Sequence, residues 1–420
     1  MPKIIAPVVH AFSQAIGVNP YRLERFVKNV RSLGRGKAPR SSDAFFPDPD
    51  KSKQGKRMLL LAFFDSNSPK TVLENIFEIQ RISKYPVDIF NYRFARESHF
   101  QVPFESGQYS LLFCHCTLTY NLKEMIWLLD LLDLGKFAGH TIVMKQDESR
   151  YIDDLVVYLK SLGKCLLLTC VPEGEIEKVY PRAKLPEIQF LFTLTGYVTE
   201  EMRLRVSPPL AERPIDVSYR GSMQPFVFGQ LCYEKAWIAD AFLQATKGMG
   251  LNCDISSRWE DRLYGEAWDN LLMRSRAVLG VESGASVFDF DGSLEKKCNR
   301  YKFFHPDCTF KEVQEKFLLP YEGNVRINQI SPRHFEAAAN RCVQILFEGD
   351  YSGIFQAGRH YLSLKRDFSN INEVTEALSD TVHCQQMVDT AFEEVILNPR
   401  WHYATFVKDL DVAIDRLLAE

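Results

Sequence analysis

The 420-residue chain contains no stretch of about 20 apolar residues of the kind a membrane-spanning helix requires. Its first residues lack the succession of basic, apolar and small residues of a secretory signal, so a cytoplasmic location is expected. Neither a Walker phosphate loop nor a G-x-G-x-x-G run follows any strand-like segment, which argues against an ATPase and against a simple dehydrogenase. An excess of one charge is missing too. The net charge is −3, with acids and bases mixed along most of the chain, and nucleic acid is not expected as a partner. Ten cysteines are present, but their spacing forms neither a disulfide framework nor two closely spaced ligand pairs. Cys114 and Cys116 lie two apart in YSLLFCHCTL, where strand alternation places both on one face and His115 on the other. Packed thiols are expected there, and no metal site.

What the chain does have is a β/α rhythm. Residues 1–55 stand outside it as an N-terminal helical segment and linker. Ile5, Val8, Val9, Phe12 and Ile16 recur at helical spacing, followed by Leu23, Phe26, Val27 and Val30. Seven bases and one acid lie between Arg22 and Arg40. That face is either simply solvated or a contact for anionic lipid, which makes residues 1–40 a candidate for peripheral membrane attachment. Over 56–208, apolar runs such as RMLLLAFFD, HTIVMKQDE and KCLLLTCV alternate with amphipathic helices, as in a mostly parallel sheet covered on both faces. The polar, proline-bearing segment RLRVSPPLAERP marks a hinge near 205–214. A second β/α series occupies 209–382, interrupted by an irregular insertion to Asn328, and helices fill 383–420. Two consecutive open α/β domains are therefore expected, with ligands beyond the carboxyl ends of their strands.

The most informative stretch is ISPRHFEAAANRCVQILFEGDYSG. Ser331 fits a helix cap, Pro332 its first turn, and Phe335, Ala338, Ala339 and Cys342 one buried face. So small an apolar face lets the helix approach the sheet closely, and its N-terminus offers free amides and a positive dipole end to a diphosphate. By spacing alone, Arg333 and Glu336 are equally well a surface i,i+3 pair contributing about 0.2–0.5 kcal/mol.

The same stretch resembles the donor-site segment of GT-B glycosyltransferases, in which a proline-containing loop leads into an E-A-x-A helix and a short strand. The resemblance is to the retaining family-four group and to bacterial polysaccharide or spore-type enzymes. It implies a GT-B fold: two Rossmann-like domains with a cleft between them, and C-terminal helices. It also implies that Glu336 contacts the ribose of a nucleotide sugar and that Ser331, Arg333 and His334 lie near its phosphates. Asn340-Arg341-Cys342 departs from the small-residue turn usual after that helix.

LGVESGASVFDFDG is similar to the strand and loop before this helix, placing Glu282, Ser283 and Gly284 at the strand's carboxyl end, as donor contacts or merely as a cap and turn. IDVSYRGS resembles the first strand of the donor domain, with Arg220 as a phosphate contact that offsets leaving-group charge. Lys235 is either a second such contact or an exposed cation beside an acid. HTIVMKQDESRY looks like the Q-D-E-Y loop of these enzymes, where Asp147 or Glu148 would orient or deprotonate an acceptor hydroxyl, or would cap the next helix. Asp289 and Asp291 spell D-x-D by chance in a loop, and neither cofactor nor metal is expected.

The activity implied is transfer of a sugar from a nucleotide-sugar donor to a glycan or other hydroxyl acceptor in bacterial polysaccharide or glycoconjugate synthesis. A nucleotide-sugar epimerase and a noncatalytic binding protein of the same fold are the alternatives.

Overall fold

The computed structural model describes residues 44–65, 68–96 and 101–419. The expected N-terminal helices and the candidate membrane contact of residues 1–40 fall outside them.

The first half is a seven-stranded sheet. Its strands are β1 (Phe45–Phe46), β2 (Met58–Ala62), β3 (Val87–Asn91), β4 (Leu111–Cys114), β5 (His140–Met144), β6 (Cys165–Thr169) and β7 (Ile188–Phe192). They are ordered β1-β3-β2-β4-β5-β6-β7, and all neighbours are parallel except β1 and β3. The sequence MLLLA of β2 is buried throughout, as a central strand covered on both faces must be. The longer helices of this half are α1 (Lys70–Ile82), α2 (Leu122–Leu131) and α3 (Ile152–Leu162).

The second half orders five parallel strands β12-β11-β10-β8-β9. Their bounds are β8 (Ile215–Arg220), β9 (Cys253–Ser256), β10 (Ser275–Gly280), β11 (Val343–Phe347) and β12 (Leu362–Leu364). They are covered or linked by α4 (Gln230–Ala245), α5 (Glu266–Met273), α6 (Ser293–Phe304), α7 (Pro332–Ala339), α8 (Ile371–Ser379) and α9 (Thr381–Ala391). The expected pair of Rossmann-like domains with C-terminal helices is the architecture observed.

The last helix, α10 (Tyr403–Ala419), returns to the first half. Leu410, Ile414 and Leu417 pack in one cluster with Leu166 and Leu168 of β6, Phe406 stacks on Tyr197 at 4.5 Å, and Asp411 accepts from the Ser83 hydroxyl at 2.7 Å. That cluster also takes in Phe335, Ala338 and Ala339 of α7, so α7 is wedged between the two halves.

One local expectation is corrected. Alternation does not carry past Cys114, because β4 ends there and His115 caps a short helix by accepting from the Thr117 amide at 3.2 Å. Cys114 and Cys116 therefore pack into different clusters on opposite sides of the sheet. His115 is a buried structural group bonded to Thr117 and Asn75, and burial lowers its pKa to about 3.

The two halves also meet through ionic groups. Arg205 of the first half holds Asp269 of α5 at 3.0 Å, and beside this pair, within the first half, Lys70 of α1 reaches Glu201 at 2.6 Å and Glu74 at 3.8 Å. Burial, reinforced by Glu336 and opposed by Lys70, raises the Glu74 carboxyl to about 7. The folded protein thus keeps a proton that the unfolded chain has already released above its ordinary value of 4.5. The associated stability is fully present below pH 4.5 and is lost as the pH rises from there through 7, at a cost of about 3 kcal/mol. Calorimetry at pH 5 and pH 8 should show a larger loss for the wild type than for Glu74→Gln. Equal losses would mean that Glu74 does not titrate in this window.

Candidate functional site

Carboxyl ends of parallel strands leave a crevice where backbone amides and loop side chains converge, and the second half has a cavity of about 200 Å³ there. Its wall is built from the end of β8 (Tyr219, Gly221, Ser222, Gln224), the end of β10 (Gly280, Val281, Ser283), Lys235 of α4, Arg262, Trp268 of α5, and the first turns of α7. A more open groove of about 470 Å³ lies between α10 and β7, at the edge of the first sheet and away from the strand ends.

The start of α7 is fixed by its own sequence. Ser331 accepts from the Arg333 amide at 3.4 Å, and His334 Nδ1 accepts from the Ser331 amide at 3.0 Å, which together make a capping box with Pro332 in the first turn. Burial depresses His334 to about 4, so its imidazole is neutral at pH 7 and adds no charge to the cavity. Ala337 lets the helix lie close over Val278 and Gln344 on the sheet below.

Three cations border the space. The Arg333 guanidinium lies over the Trp268 ring at 5.0 Å and donates to the Arg220 carbonyl. Lys235 Nζ donates to Ser283 Oγ at 3.4 Å. Arg262 packs 4.2 Å above the Trp259 ring and also lines the cavity. Among the described residues, those lining the cavity include no carboxylate.

The cavity therefore unites Ser331, Arg333, His334, Lys235 and Ser283 from the expected set. Glu336 stands one turn deeper and half-buried, accepting from Trp268 Nε1 at 2.7 Å, and burial raises its pKa. Arg220 does not line the cavity. Its Nη1 donates to the carbonyls of Tyr219 and Asp254 at 2.8 Å each, and its Nη2 pairs with the Asp254 carboxylate at 2.7 Å. Glu282 is turned toward the 349–351 loop, accepting from the amides of Asp350 and Tyr351 at 3.0 and 2.9 Å and from Asn328 at 2.7 Å.

Gly284 is a backbone position. Its φ is +103°, and a Cβ there would stand 2.1 Å from the Ile327 carbonyl oxygen, beside the Ser283–Gln329 bridge. Gly284→Ala should destabilise the protein by about 3 kcal/mol or more, since both the left-handed conformation and the contact oppose a side chain. Urea unfolding would register this as a lower midpoint, and an unchanged midpoint would show that the loop yields freely.

Across from the cavity, the loop after β5 carries the two acids singled out by sequence, and the structure separates them. Glu148 is fully buried. It accepts from the Thr169 and Tyr180 hydroxyls and from the Cys170 amide at 3.3 Å, and burial raises it to about 7. Asp147 is exposed, with φ +56°, and its charge is felt by Cys116 and Tyr120 on its own half and by Cys232 of α4 on the other. Asp289 of the D-x-D run caps α6, accepting from the amides of Leu294 and Glu295 at 3.2 and 2.8 Å.

Sequence reasoning missed Trp268 and Arg262. Trp268 reads as one more apolar residue on a helix. Arg262 sits in a polar loop, and only its place between Trp259 and Tyr264 after a strand could have drawn notice.

No family model and no curated protein matches the chain. Among solved structures, T4 phage β-glucosyltransferase with its UDP-glucose substrate aligns at a TM-score of 0.49 and 12% identity, over 86% of this chain and 99% of that one. An α-glucosyltransferase in complex with UDP and a 13-mer DNA gives 0.49 and 10% over the same shares. Anabaena HepE with UDP-glucose gives 0.46 and 9%, over 86% and 100%. At these values the alignments describe a likeness of build and carry nothing about substrate.

Proposed function

We propose that the chain is a glycosyltransferase that takes a nucleotide-sugar donor in the second half and delivers the sugar to a hydroxyl acceptor held against the first. One observation carries the reading: Lys235, Arg262, Arg333 and the start of α7 converge on a cavity at the strand ends whose lining contains cations and no carboxylate among the described residues. A diphosphate suits that field. The helix start supplies amide donors and dipole, Arg333 a planar fork, and Lys235 and Arg262 further charge to offset the departing nucleoside diphosphate. Such side chains do the work a divalent ion does in other transferases, and we assign no metal or cofactor to the reaction.

Asp147 is assigned the acceptor hydroxyl, which it orients or deprotonates across the cleft. Glu148 supports the loop that presents it. Ser331 and Ser283 complete the phosphate pocket, and Glu336 with Trp268 backs it. A glycan acceptor, a place in bacterial polysaccharide or glycoconjugate synthesis and a retaining course rest on the sequence resemblance alone and belong to this proposal.

The test is a thermal-shift panel of UDP, GDP, CDP, ADP and their sugars on the full chain, because a ligand bound only by the folded state raises its melting temperature. A selective rise with one nucleotide supports the donor site. No rise with any of them would leave a noncatalytic protein, and donor turnover without an acceptor would identify an epimerase.

A further inference from the structure

The insertion between β10 and α7 has two sides. On one, Leu294, Cys298 and Tyr301 of α6 pack with Val227, Val287, Phe310 and Val313, and Lys302 Nζ lies 4.5 Å over the Phe226 ring. That side is anchored to the protein. Glu295 also holds Arg150 of the first half at 2.7 Å, so the insertion spans both halves.

The outward side is different. Lys296, Lys297, Arg300, Phe303 and Phe304 stand at i, i+1, i+4, i+7 and i+8, which share one helical face, and no acid falls between Lys296 and Phe304. Phe303 and Phe304 are 59% and 65% exposed and pack edge-to-face on each other at 5.2 Å. Phe303 and Phe304 end α6, and the chain is exposed at every position from Phe303 to Asp307. Two adjacent exposed phenylalanines at a helix end are an unusual use of water-facing surface.

We propose that the C-terminal end of α6 is a membrane contact: Phe303 and Phe304 enter the headgroup boundary of a bilayer while Lys296, Lys297 and Arg300 meet anionic lipid. Phenyl groups at a helix end followed by a cationic stripe match the layering of an anionic bilayer, apolar below and negative at the surface. The inference is independent of the donor site.

The test is co-sedimentation of the full chain with vesicles of about 70:30 phosphatidylcholine to phosphatidylglycerol, against phosphatidylcholine alone. The wild type should bind the anionic vesicles and release them as salt is raised. Phe303→Ser/Phe304→Ser and Lys296→Gln/Lys297→Gln/Arg300→Gln should each bind at least tenfold more weakly. Circular dichroism and an unchanged urea midpoint would establish that the variants are folded. Wild-type-like binding by both variants would overturn the proposal, because the contact would then lie elsewhere in the chain. So would a wild type that ignores the vesicles, or one that binds only single-stranded oligonucleotide and loses that binding in the variants.

Discussion

Arg333→Ala should remove the melting-temperature rise caused by the preferred nucleotide and lower sugar transfer by about two to three orders of magnitude. The guanidinium is held by the Trp268 ring at 5.0 Å and by the Arg220 carbonyl, so its donors are already aimed when a ligand arrives. Charge-assisted hydrogen bonds contribute about 1.5–3 kcal/mol each, equivalent to roughly a 10- to 150-fold loss of affinity when one is removed. The further loss in turnover follows because negative charge grows on the diphosphate as the sugar leaves, and a fixed cation is worth most at that moment. Arg333→Lys is the informative companion. It keeps the charge and loses the planar fork and the stacking, so it should recover part of the affinity. Equilibrium binding measured beside initial rates would separate the two effects. Full binding by the alanine variant would remove Arg333 from the phosphate site and leave Lys235 and Arg262 without the residue that links them to α7.

The framework of this site is legible in the residues, while its finer wiring is not. The run SPRHFEAAA announces a capped helix with a narrow apolar face, and the structure wedges α7 between the halves on Phe335, Ala338 and Ala339. Central strands such as MLLLA declare themselves because both faces are covered. Side-chain direction is another matter, because it depends on partners distant in sequence. Arg220 stands at the end of β8 as expected, but Asp254 on the neighbouring β9 draws its guanidinium aside. Trp268 engages Glu336 from 68 residues away, a contact that no local pattern encodes. Glu282 is claimed by two amides of the 349–351 loop for the same reason. The Cys114–Cys116 alternation failed because a helix cap at His115, a local hydrogen-bonding choice, ended the strand first.

Asp147→Asn separates donor binding from chemistry. Asp147 and Glu148 are adjacent and equally acidic in sequence, but only Asp147 is exposed, whereas Glu148 is sealed among Thr169, Tyr180 and the Cys170 amide. A carboxylate that orients or deprotonates the acceptor hydroxyl contributes about 10²–10⁴-fold in rate. Asparagine preserves its size and loses its charge and basicity. The variant should therefore keep the nucleotide-induced melting shift, because Asp147 does not line the donor cavity, and should lose transfer by that factor. Glu148→Gln should instead act chiefly on stability, since it disturbs a buried set of donors. The anomeric configuration of the product, read by NMR, then tests the retaining course: front-face transfer assisted by the leaving phosphate, with Asp147 orienting the acceptor hydroxyl, retains the centre, whereas in-line attack with Asp147 as the base inverts it. Wild-type rates in Asp147→Asn would exclude the residue from the chemistry and return the acceptor side to the loops that face α4.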